Sequence, residues 1–318
     1  MRPAIALDGA VLRANVRAFA ALGAPVAAVV KHDGYGWGAA RLAFELDREV
    51  ESYVVADADE FWRLRPVTLH VIRILSEVSP SEAGAIVAHG GIPNVASREG
   101  LDALPRGARV RVGFIDAAGW SGIAFADAAD FGAACAQRDL ACELWMHVTA
   151  AERAEALDAD FVRACTAFRA SGARIAGIDA ASTASATPAR AHDRVRIGAG
   201  LFGAKLGADV ATTCAIRVTA PVVRRHAPGD VAWAGYGERQ VPAERPLTVY
   251  RFGYGDGAPS GLEGTDAILS LGMQYVTRAS ADPVAHWIAI GPHTDLDDLA
   301  LRSGVRAHEL IVALGRSA

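Results

Sequence analysis

The stretch "PVAAVVKHDGYGWG", Pro25 to Gly38, sets the reading of the whole chain. An apolar run of strand length ends on Lys31, and Tyr35 follows four residues later among three glycines. Lysine is rarely buried without a partner or a task, so its place there needs a reason. Seven more runs of the same kind follow: "SYVVADA", "HVIRILSE", "GIPNVAS", "ARVRVGFID", "ACELWMHV", "RIAGIDA" and "RVRIGAG", the last ending near Gly200. Helical patterns separate them. In the first, Leu12, Val16, Phe19 and Leu22 recur at helical spacing behind Asp8, a favoured N-cap type. Eight β/α units in about 200 residues predict an α/β fold, a compact (β/α)8 TIM barrel over residues 8–214. From about Ala215 onward short strands are broken by turns such as "HAPGD", "VPAERP" and "YGDGAPSGLEG", with a late helix in "DLDDLALRSG". Residues 215–318, joined by residues 1–7, are expected to form a smaller, mostly β domain.

The chain has 318 residues, 52% hydrophobic and 21% charged, which fits a globular enzyme with an ample core. A net charge of −4 gives no reason to expect nucleic acid or an anionic membrane as partner. The N-terminus "MRPAIALDGAVLRANV" lacks the apolar core of a signal peptide, and no run reaches membrane-spanning length. Cys135, Cys142, Cys165 and Cys214 are scattered without metal-ligand spacing, so free cysteines, a cytoplasmic location and no metal are expected.

On such a barrel, chemistry sits at the carboxyl ends of the strands. Lys31 closes the first strand, where desolvation would lower its pKa and make the amine nucleophilic, as covalent attachment of a carbonyl compound requires. The competing reading is a lysine paired with a neighbouring carboxylate.

Five segments then fall into one ordered set. "VVKHDGYGWG" is similar to V-K-A-N-A-Y-G-H-G, "WMHVTAAE" from Trp145 to T-H-F-A-x-A-D-E, and "IDAASTA" from Ile178 to H-x-A-N-S-A. "DRVRIGAGLFG" from Asp193 is similar to D-x-V-R-P-G-I-x-L-Y-G, and "FGYGDGAPSGL" from Phe252 to G-Y-x-D-G-Y-P-R. Together they resemble the alanine racemase family over nearly the whole chain. The resemblance implies a pyridoxal 5'-phosphate (PLP) enzyme with the cofactor bound covalently to Lys31. It implies that the Tyr35 and Thr183 hydroxyls and the Gly198 and Ala199 amides take the phosphate. Arg196 would face the pyridine nitrogen; being always charged, it cannot accept a proton and leaves that nitrogen unprotonated. That weakens the electron sink and suits racemisation over side reactions. By the same resemblance Lys31 and Tyr254 are the two bases flanking Cα, and His147 lies between Tyr254 and the arginine. Tyr254 would come from the partner subunit of a homodimer. Each residue also has a packing alternative: a core tyrosine at 35, an Arg196 salt bridge to Asp193 or a neighbour, a structural histidine at 147.

Departures concentrate on the substrate side. The family's K-x-D-T-G-M-x-R-L-G reads "GFIDAAGWSGI" here, Gly113 to Ile123, with Phe114 at the lysine position and no carboxylate-orienting arginine. Trp120 and Asp282 are the candidate substrate contacts, with Ala281 replacing a methionine at the pocket wall. His32 and Trp37 are further candidates to compensate for the missing arginine. His308 stands where the family has a phosphate-contacting tyrosine. The reading is a divergent PLP-dependent racemase or epimerase whose amino-acid substrate need not be alanine. Decarboxylation or elimination at Cα, and PLP binding without turnover, are the alternatives.

Overall fold

The computed structural model describes residues 2–115, 121–148, 154–190, 192–235, 239–263, 267–279 and 284–318. Eight parallel strands follow one another: β2 (Val26–Val29), β3 (Ser52–Val55), β4 (Val71–Glu77), β5 (Gly91–Asn94), β6 (Arg109–Phe114), β7 (Ala141–Met146), β8 (Arg174–Asp179) and β9 (Val195–Ile197). They pair in the order β9-β2-β3-β4-β5-β6-β7-β8, and a parallel bridge between Ala181 and Val195 joins the two ends. The order is the sequence order closed on itself, which is a barrel. All eight expected strands are present.

Helices cover the outside. In α1 (Gly9–Ala20), Leu12, Val16 and Phe19 are buried, and the Asp8 side chain accepts hydrogen bonds from the amides of Ala10 and Val11. Then come α2 (Lys31–Tyr35), α3 (Ala39–Leu46), α4 (Ala58–Leu64), α5 (Pro80–Ala88), α6 (Arg98–Asp102), α7 (Ala128–Gln137) and α8 (Ala154–Ala170). The main apolar core lies between these helices and the outward face of the sheet.

The inward face is different. Alternation along the strands turns Arg73, Arg111, Glu143, Asp179, Arg194 and Arg196 into the barrel, all buried. Barrel interiors are usually filled by branched apolar side chains. Here a small apolar group, Ala27, Val29 and Val54 with Leu75, shares the interior with that charged layer. Arg73 bonds Glu143 and Glu51, Arg109 reaches Glu143 at 2.6 Å, and Arg111 bonds Asp179.

The chain's first strand, β1 (Ala4–Leu7), belongs to the C-terminal sheet: it pairs antiparallel with β10 (Ile216–His226). That long strand shifts register between Val222 and Arg224 and pairs with β13 (Leu247–Arg251) beyond it. The sheet is completed by β14 (Ile268–Leu271), β15 (Tyr275–Ala279) and β16 (His286–Ile290); β11 (Trp233–Ala234) and β12 (Arg239–Gln240) form a separate short hairpin. Two terminal helices follow, α9 (Leu296–Arg302), capped by Asp295, and α10 (Ala307–Gly315). The sequence reading anticipated the first of these helices and not the second.

Candidate active site

Val29 points into the barrel, so Lys31, two residues on, opens toward its mouth. Its pKa is lowered, chiefly by burial and further by the charge of Arg196, against an opposing pull from Glu60. The chain leaves Lys31 in an unusual way. His32, Asp33, Gly34 and Tyr35 all have positive φ, from +51° to +62°, so α2 is a left-handed turn. Such a turn costs about 1–2 kcal/mol for each residue bearing a Cβ, and three of these four do. Asp is among the residues that visit this region most readily, and Gly34 enters it without a side-chain penalty. Outside support comes from the Glu60 carboxylate, which accepts from the amides of His32 and Ala56, and from Asp33 Oδ1, which accepts from Ala39 N–H at 2.8 Å.

The turn delivers Tyr35 back into the barrel mouth. Its hydroxyl lies so close over Gly198 that a Cβ there would collide with it. Its ring packs edge-on against Phe202 at 5.6 Å and stacks with His308 at 6.2 Å. Burial pushes the Tyr35 phenol well above its ordinary pKa, so it stays protonated and able to donate. Thr183 opens a 3-10 turn after β8, and its hydroxyl accepts from the amides of Gly198 and Gly200 at 3.3 and 3.4 Å. Ala199 begins the 3-10 turn Ala199–Phe202. Tyr35, Thr183, Gly198 and Ala199 are therefore gathered at one corner of the mouth, with His308 against Tyr35.

Arg196, from β9, is buried, with Nε 2.7 Å from Asp179 Oδ1 and Nη2 donating to the Met146 carbonyl. Its carboxylate is thus Asp179; Asp193 accepts instead from the Ile178 amide. The guanidinium lies 5.0 Å from the centre of the Trp145 ring, and that of Arg111 lies 4.6 Å from it. Trp145 Nε1 donates to Asn94 Oδ1 at 2.8 Å. His147, two residues beyond Trp145 on the same inward register, has its pKa pushed from 6.5 to about 3 by burial and by the charges of Arg196, Lys31 and His308. It is neutral at physiological pH.

Not every candidate lies in this group. Tyr254 opens a 3-10 turn in the β domain and is 49% exposed. Asp256 accepts from Arg251 and the Gly253 amide, so it shapes that turn. Trp37 is buried and donates through Nε1 to the Ile311 carbonyl at 3.0 Å, a packing role against α10. His32 is exposed. Phe114 stacks with Phe125 at 5.5 Å on the helix side of the sheet. The inward neighbour is Gly113, where a Cβ would lie 2.8 Å from Trp145, so that indole fills the place of a side chain on β6. Trp120, Asp116, Ala281 and Asp282 lie outside the described residues. The sequence reading passed over Asp179 and Trp145. Their signal was a charged or polar residue at every second position of otherwise apolar strands, as in Glu143–Trp145–His147. Among the described residues there is no cluster of His, Cys, Asp and Glu able to hold a metal ion, and no helix long and apolar enough to cross a membrane.

Comparison with known proteins follows the same lines. The family model for the N-terminal domain of alanine racemase matches residues 7–206. The chain is 28% identical to an alanine racemase of Methylobacterium nodulans, over 98% of this chain and 93% of that one. It is 29% identical to one of Xanthomonas campestris pv. campestris, over 99% and 97%. Among solved structures, alanine racemase from Acinetobacter baumannii shares the fold with a TM-score of 0.84 at 18% identity, covering 98% of this chain and 97% of that one.

Proposed function

Because the chain belongs to the alanine racemase family, we propose that it is a PLP-dependent amino-acid racemase using Lys31 and Tyr254 as its two bases. The observation that carries this reading is the gathering of the half-buried Lys31, the corner of Tyr35, Thr183 and Gly198, and the buried Arg196 at one barrel mouth. The residues fit the cofactor. Lys31 would attach it; the Tyr35 and Thr183 hydroxyls with the Gly198 and Ala199 amides would hold its phosphate, at a corner where the absence of a side chain at Gly198 lets the Tyr35 hydroxyl come close to the backbone. Arg196, tethered on its far side by Asp179, would meet the ring. When bound, the cofactor supplies the electron sink for a carbanion at Cα.

The chain's own residues divide the remaining work. The depressed Lys31 pKa raises the fraction of neutral amine, whose Nζ can take a proton on one face of Cα. Neutral His147 adds no cation to a mouth that already holds Lys31 and Arg196. Tyr254 Oη would serve the other face from a partner subunit. Its exposure supports this, as do the exposed Met273 (56%) and Tyr275 (41%), which make its surroundings an apolar surface suited to a second copy in a homodimer. No arginine or lysine occurs between Gly113 and Ile123, which supports a substrate other than alanine.

Incubating the protein and PLP in D2O with a panel of amino acids tests the reading. Exchange at Cα is expected, faster for a side chain larger than methyl. If PLP is bound and no amino acid exchanges, the protein is a cofactor binder without turnover. Preference for alanine would restore the ordinary substrate.

A further inference from the structure

We infer that Asp179 is the positioning residue for Arg196, and through it for the ring of the bound cofactor. The inference rests on the PLP reading above. Counting back four positions from Thr183, Asp179 stands where the motif H-x-A-N-S-A has histidine, so this chain puts a carboxylate where the pattern has an imidazole. That carboxylate is fully buried at the end of β8, in the charged layer beneath the mouth.

Three arginines converge on it. Arg196 Nε lies 2.7 Å away, Arg111 Nη2 lies 3.1 and 3.2 Å from its two oxygens, and Arg194 Nη1 lies 3.4 Å away. Arg194 has other partners, Glu143 at 3.4 Å and Glu51 at 3.9 Å. Among the described residues, Arg111 and Arg196 pair with no other carboxylate. Around them the buried charges do not balance: Arg73, Arg111, Arg194 and Arg196 face Glu143 and Asp179, four against two, with Arg109 and Glu51 partly exposed at the edge. In a dry interior like charges repel strongly, and a guanidinium without an anion takes whatever position reduces that repulsion. Trp145 lies against both guanidinium groups, tied to Asn94 and packed on Gly113. Asp179, Trp145 and the Met146 carbonyl thus all hold Arg196 in place.

A purely structural role for Asp179 would be to balance Arg111. The two roles separate by experiment. Asp179→Asn keeps the shape and removes the charge; Arg111→Met/Asp179→Asn also removes one of the two arginines that would be stranded, leaving Arg196 in place. PLP binding is followed by quenching of tryptophan fluorescence and by the pH dependence of the visible band of the lysine-bound cofactor; folding is followed by Tm. Asp179→Asn should weaken PLP binding by about 30-fold or more, as expected for truncating one partner of a buried charge pair. The double variant should regain part of the lost Tm without regaining affinity or the wild-type pH profile of the band, while Asp179→Glu retains both. Wild-type affinity and profile in the double variant would overturn the inference and leave the PLP reading standing. If the wild-type protein shows no band and no borohydride-trapped adduct on Lys31, both fall together. Should Asp179→Asn fail to fold, the double variant still decides.

Discussion

His147 shows how one side chain reports on the charges around it. Burial, Arg196, Lys31 and His308 push its pKa from 6.5 to about 3, so the folded protein holds it neutral where an unfolded chain would protonate it. Between those values the unfolded state binds more protons, so stability falls as pH drops through the window and is fully present above it. His147→Gln should flatten the dependence of stability on pH between about 6.5 and 3, read by urea unfolding at a series of pH values. An unchanged slope would mean that His147 titrates freely in the folded protein. Glu143 behaves as the acidic counterpart. Burial alone would raise its pKa, but Arg73, Arg194 and Arg111 hold it down to about 2. Its contribution is present above the ordinary carboxylate value of 4.5 and is lost as pH falls toward 2. Glu143→Gln leaves buried arginines short of an anion and should cost about 3–5 kcal/mol, measured at neutral pH by the same unfolding.

At the scale of elements, the turn after Lys31 decides whether the site exists. Lys31 and Tyr35 bracket it, so any rearrangement of His32–Gly34 moves both at once. At Gly34 φ is +62°, and a Cβ would lie 2.7 Å from Leu42 Cδ1 and 3.1 Å from the Ala39 amide nitrogen. Backbone strain and the crowded neighbours act together, so Gly34→Ala should destabilise the protein by about 1–3 kcal/mol. It should also weaken PLP binding more than an alanine at exposed Ser81 does. Equal stability and equal binding would show that the turn tolerates a side chain. The sequence carried the glycines and the strand–loop junction in plain view. It did not carry the handedness, because His32, Asp33 and Tyr35 are ordinary L-residues held at positive φ by Glu60 and by Ala39, contacts supplied by later segments. The charged barrel interior was similarly hidden. A strand reads as apolar when five of seven residues are, and the inward arginine or carboxylate passes for a surface residue until strand parity is known.

For the whole molecule, the barrel was legible because eight strand-like runs alternate with helical spacing, and that period needs no tertiary information. The packing of the last helix against the Tyr35 corner was not legible. Helix α10 meets the Lys31 loop across most of the chain: Trp37 bonds Ile311, His308 stacks on Tyr35, and Gly315 has no side chain because a Cβ would lie 2.7 Å from both Trp37 and the Tyr35 carbonyl. The remaining long-range relation is between subunits. Tyr254 is half exposed on the β domain, whereas Lys31 lies at the barrel mouth, so a two-base reaction in a head-to-tail pair would draw one base from each chain. Mixing inactive Lys31→Ala with inactive Tyr254→Phe then has a definite outcome. After random exchange half of the dimers are mixed, and each mixed dimer carries one site with both bases and one with neither. Recovered activity should approach about a quarter of wild type, measured as Cα exchange in D2O after subunit exchange is verified by mass. No recovery would mean that Lys31 and Tyr254 serve the same chain's site, or that Tyr254 is not a base.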